Sequence, residues 1–122
     1  MKLASFCAAV LWALTLLDAR AGPSRAALSP AAVHGRQLYI SNGCYECHGY
    51  GGEGAVGPRL GPNPLPLDVF TRLVRNPINS MPIHMPVYTA KVLSPADVAA
   101  IYAFLSALPP AKPVSEIPLL GR

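Results

Sequence analysis

The sequence predicts a small all-α fold, with three to five short helices joined by glycine- and proline-rich loops. Three observations carry that expectation. Ser29-Pro30 and Ser94-Pro95 each precede apolar residues at helical spacing, and serine at a cap followed by proline at the first helical position is a helix start. Glycines and prolines crowd residues 49–66, and no pair of alternating apolar runs suggests paired strands. The chain has only 122 residues, and part of that is set aside as a leader, so its core needs a staple such as a metal, a disulfide or a cofactor.

Residues 1–21, MKLASFCAAVLWALTLLDARA, read as a secretory signal peptide cleaved after Ala21. Lys2 gives the positive start, Leu3 to Leu17 the apolar run, and Ala19-Arg20-Ala21 the small-x-small cleavage site. The run is shorter than the roughly 20 residues a bilayer span wants, which leaves an uncleaved anchor as the alternative. Cys7 falls inside the run and leaves with it, so the three cysteines become two. Residues 22–28 read as a flexible leader, 29–109 as the folded domain, and 110–122 as a proline-rich extension, extended or partly disordered.

The first helix is expected from Pro30 to about Ser41, with Ala31, Gly35, Leu38 and Tyr39 on one face, and Asn42-Gly43 ending it in a left-handed turn. Residues 49–66 form a wrapping loop. Leu67 to Arg75 give a second helix with Leu67, Phe70, Leu73 and Val74 on one side, stopped by Asn76-Pro77. A loop over 76–93 holds Met81, His84 and Met85. The last helix starts at Ser94-Pro95, with Asp97 near its positive end. Its apolar face is Val98, Ile101, Phe104, Leu105 and Leu108, and Pro109-Pro110 stop it.

The formal net charge is +4, and loss of the leader lowers it by one. No basic run with interleaved aromatics is present, so nucleic acid is not the expected partner. The chemistry concentrates in Cys44-Tyr45-Glu46-Cys47-His48. Zinc wants about four ligands, usually as two pairs, and only one pair exists. A thioredoxin-like motif expects strands around it. A disulfide between Cys44 and Cys47 would close too small a loop to stabilise much. The remaining reading is a c-type haem attachment sequence. Thiols one helical turn apart can add to the two vinyl groups on one porphyrin edge, and the adjacent imidazole reaches the iron. Cys44 and Cys47 are then the thioether links and His48 the proximal ligand.

Beyond the motif, the chain resembles a class I monohaem c-type cytochrome of the bacterial periplasmic kind over about residues 30–108. Gly35 and Tyr39 stand before C-x-x-C-H, then Gly57-Pro58-Arg59-Leu60 follow, then Met85-Pro86-Val87-Tyr88, then Ile101 with Phe104-Leu105. The resemblance implies a small cytochrome c fold wrapped around one covalent haem c. It implies the Pro58 carbonyl as acceptor for the second nitrogen of His48, and a close crossing of Gly35 with the last helix through Ile101 and Phe104. Among Arg59, Arg72 and Arg75, Arg75 is the preferred partner for a haem propionate. Met85 is taken as the sixth iron ligand because its spacing to the last helix resembles the family's ligand loop. His84 is the runner-up, and choosing Met81 would leave four more residues to accommodate.

The function so implied is periplasmic electron transfer, without bond chemistry of its own, between a dehydrogenase and an oxidase or other cytochrome. No integral membrane span remains after signal cleavage. The alternatives are a dedicated haem subunit of one dehydrogenase complex and a haem sensor or enzyme with an open sixth site.

Overall fold

A computed structural model describes residues 27–79 and 84–119. The signal peptide expected over 1–21, most of the leader expected over 22–28, and Met81 lie outside the described residues. The described residues form α1 Pro30–Ser41, α2 Cys44–His48, α3 Leu67–Arg75 and α4 Pro95–Ser106, followed by a 3-10 turn at Val114–Glu116. No strand occurs among the described residues, and the fold is that of a small cytochrome c.

Both serine caps form. The Ser29 hydroxyl accepts from the Ala32 N–H at 3.2 Å, satisfying one of the donors a helix start leaves open. At α4 the cap is reciprocal, because Ser94 Oγ accepts from the Asp97 N–H at 3.2 Å while Asp97 Oδ2 accepts from the Ser94 N–H at 2.9 Å. These hydrogen bonds, with His34 Nε2 3.7 Å from Asp97, hold the Asp97 carboxyl below its ordinary value. At the far end of α1, Asn42 sends its backbone N–H to Leu38, and Gly43 turns left-handed at φ 73°.

The face that α1 buries differs by one position from the expected one. Ala32, Gly35 and Tyr39 are buried, whereas Ala31 is exposed, because α1 meets α4 along the 32–35–39 row. Gly35 is the closest point of that crossing. A Cβ there would run into the Ala100 carbonyl and stand 2.8 Å from the Ile101 nitrogen, so only glycine lets the two backbones approach. Four residues on, the Tyr39 and Phe104 rings pack with centroids 5.5 Å apart at 58°. Helix α3 meets α4 more lightly, through Phe70 edge-on to Tyr102 at 5.7 Å. Phe70 and Val74 are its buried positions, Leu73 is half-buried, and Leu67 at its first turn is exposed.

Leu93, Val98, Ile101, Phe104 and Leu105 complete the core with Tyr39. Several of these core residues, Tyr39, Leu93, Val98 and Ile101, also line a cleft that the 44–48 turn faces. Over its described residues, 110–119, the extension is exposed except for half-buried Ile117, and its 3-10 turn buries nothing.

Candidate haem site

Five residues are too few for a helix to stand alone in water, and α2 is held from outside. Its terminal carbonyls are met by N–H groups of the glycine-rich loop: Gly49 to Tyr45 at 2.9 Å, Gly57 to Cys47 at 2.8 Å, and Gly54 to His48 at 2.8 Å. Two tyrosine hydroxyls grip the backbone at either end. Tyr39 donates to the Gly49 carbonyl at 2.7 Å, and Tyr88 donates to the Asn42 carbonyl at 2.6 Å. Burial lifts both phenols above their ordinary range, Tyr39 the more strongly, so both keep the proton they donate. The wrapping loop is therefore the scaffold of the motif.

His48 is the one polar side chain buried in the described core. Its Nδ1 lies 2.8 Å from the Pro58 carbonyl, which fixes the tautomer and leaves Nε2 as the free donor pair. Gly57 packs closely against the ring, since a Cβ at that position would come within 2.8 Å of His48 Cε1 and 2.9 Å of Nδ1. Cys44 and Cys47 are free thiols, both half-buried, and burial pushes the Cys44 thiol up.

A cleft of about 560 Å³ opens beside α2, within the range of small-molecule and cofactor sites. Cys44, Cys47, His48, Pro58 and Met85 all line it, and Phe70, Leu73, Leu93, Val98 and Ile101 supply an apolar wall. Arg75 is not among the lining residues but is bonded to one of them, Tyr88. Its Nη1 donates to the Tyr88 carbonyl at 2.6 Å, and the arginine that lines the cleft is Arg59. His84 is exposed and does not line the cleft. Among the described residues, no group of three or more His, Cys, Asp or Glu gathers to hold a bare metal ion.

Asn79 was not distinguished by the sequence. Its amide oxygen accepts from the Met85 N–H at 3.0 Å, and its amide nitrogen donates to the Met85 carbonyl at 3.3 Å. An isolated asparagine in a loop carries no signal of the backbone it will meet. Tyr88 is a similar case: the sequence offered it as part of a methionine-proline stretch, while its hydroxyl is a strut for α2.

The donor set fits a haem. Two thiols sit at i and i+3 on one turn, one imidazole is anchored by its far nitrogen, a thioether lines the same cleft, and the wall is apolar. This is a c-type cytochrome domain, and its cofactor is one covalently bound haem c. Residues 30–105 match the family described as cytochrome C oxidase, cbb3-type, subunit III, and the chain belongs to that family. No curated protein and no solved structure matches the chain. No helix of the described residues is long and apolar enough to cross a membrane.

Proposed function

We propose that this protein moves single electrons in the periplasm between a dehydrogenase and a respiratory acceptor, on a haem c with His48 and Met85 as axial ligands. The observation that carries the reading is the convergence of Cys44, Cys47, His48 and Met85 on one cleft, with His48 already oriented by Pro58. When bound, the haem supplies one-electron exchange at its iron. The residues do the rest. Cys44 and Cys47 tether it, and the Pro58 carbonyl strengthens the donor character of His48. The apolar wall would exclude water, and the Met85 thioether, which lines the same cleft, would serve as a second iron ligand, which suits electron transfer over catalysis. Arg59, which lines the cleft, is one arginine for a propionate, and Arg75, bonded to cleft-lining Tyr88 through Nη1 alone, keeps donors for the same role.

Export follows from the 1–21 leader, because thioether attachment belongs outside the cytoplasm. The test is chemical. Holoprotein produced with its leader should retain haem through acid-acetone extraction and denaturing electrophoresis, and the reduced protein should bind carbon monoxide poorly. Rapid carbon monoxide binding would contradict Met85 ligation and favour the open-site sensor or enzyme.

A second reading has its own support. The family is described as a subunit of an oxidase, and the proline-rich extension from Pro110 exposes Val114 and Leu119, as a clasp on a partner would. In that reading the protein is a fixed haem subunit of a respiratory complex. Size-exclusion of the native material distinguishes the two, since a carrier elutes at its monomer mass and a subunit coelutes with its complex.

A further inference from the structure

Met85 sits in a segment with two other possible iron ligands, Met81 and His84, and both methionines are followed by proline. Composition alone does not choose among them. Two sets of contacts fix residues 85–88. At one end the Asn79 amide reads both backbone groups of a single residue, accepting from the Met85 N–H at 3.0 Å and donating to the Met85 carbonyl at 3.3 Å. At the other end, Tyr88 donates its N–H to the Val74 carbonyl at 3.2 Å and receives Arg75 Nη1 on its carbonyl at 2.6 Å, while its hydroxyl reaches Asn42. The C-terminal end of α3 and the residues just after it therefore hold the segment at both ends.

We propose that Asn79 is a positioning residue that fixes the backbone of Met85, so that Met85, rather than the exposed His84, is held at the haem cleft. The inference rests on the reading of Met85 as sixth ligand. A primary amide offers one acceptor and one donor group side by side. Matched to the N–H and C=O of one residue, it fixes that residue and no neighbour, and Pro86 has no N–H to take the place. A shift that carries Met85 away from this position must break both bonds. They lie at the surface, where water competes, so their loss should raise the population of the detached loop by roughly three- to tenfold.

The test uses ferrous and ferric holoprotein of the full chain, with Asn79→Ala, Asn79→Asp and Met85→Leu. Asn79→Ala should speed carbon monoxide binding to the reduced protein by roughly three- to tenfold. It should also lower the temperature at which the ferric sulfur-to-iron charge-transfer band disappears, while helical circular dichroism melts near the wild-type temperature. Asn79→Asp keeps the acceptor for the Met85 N–H and should fall between Asn79→Ala and wild type. Unchanged carbon monoxide kinetics in Asn79→Ala would overturn the proposal. So would loss of the band only together with the helices, which would make Asn79 a general structural residue. Met85→Leu separates the two levels. A band that survives it removes the ligand reading itself, whereas a band lost in Met85→Leu with Asn79→Ala unaltered removes only the role of Asn79.

Discussion

The His48 environment shows how much one side chain depends on groups that carry no obvious chemistry. Its orientation comes from a proline carbonyl at 2.8 Å and a glycine whose missing Cβ leaves room for the ring. Gly57→Ala should displace the imidazole and cost about 1–3 kcal/mol, as overpacking of a close contact does. Thermal melts of the holoprotein, with the haem absorption recorded alongside, measure both effects. Asp97 gives a second test at this scale. Its carboxyl is held below the ordinary value of 3.8 by Ser94 and His34, so its contribution to stability is present above that value and is lost as pH falls through the lower, folded-state value. The stability gap between wild type and Asp97→Asn should therefore close on acidification below pH 3.8. Denaturant titrations across that range measure the gap. Asp97 was legible as an acid near a helix start, while its reciprocal bond with Ser94 needed the loop conformation before it. Pro58 was legible only through the resemblance, since no local pattern says which imidazole a proline carbonyl will face.

At the scale of elements, the helix boundaries were the most readable part of the chain. Proline after a serine cap, and asparagine with glycine or proline at the ends, are local signals, and the expected limits of α1 and α3 coincide with those observed. Which residues a helix buries is a property of its partner, and there the sequence pattern slipped. Ala31 was expected inward and Ala32 is, and Ala100 was overlooked because its burial follows from Gly35 crossing it. Helix α2 was legible only as a motif with one-turn spacing, since a five-residue helix held by distant N–H groups has no period to detect. The α1–α4 crossing yields the prediction proper to this scale. Gly35→Ala drives a methyl into the Ala100 backbone, which no rotamer change relieves, and should destabilise the holoprotein by at least about 2 kcal/mol. Chemical denaturation followed by circular dichroism measures it. A change below about 0.5 kcal/mol, the range of ordinary surface substitutions, would mean that the two helices do not cross at that point.

The whole molecule is a cofactor wrapped by a chain too short to close a core by itself. Residues of all four described helices line the cleft, the glycine-rich loop braces the attachment turn, and the segment around Met85 reaches the same cleft. The extension after Pro110 stands apart from this arrangement. Removing residues 111–122 should leave the haem spectrum unchanged and alter stability by no more than about 0.5 kcal/mol, because what is described of it is almost wholly exposed. Loss of partner binding in that truncation would favour the fixed subunit over the diffusing carrier. The central claim, electron transfer through a haem c ligated by His48 and Met85, is tested most directly by the ferric charge-transfer band and the reduction potential of Met85→Leu beside Met81→Leu. Leucine keeps the apolar bulk and removes the sulfur. The account predicts that Met85→Leu abolishes the band and lowers the potential while Met81→Leu keeps both near wild type; a band that persists in Met85→Leu and vanishes in Met81→Leu would contradict it.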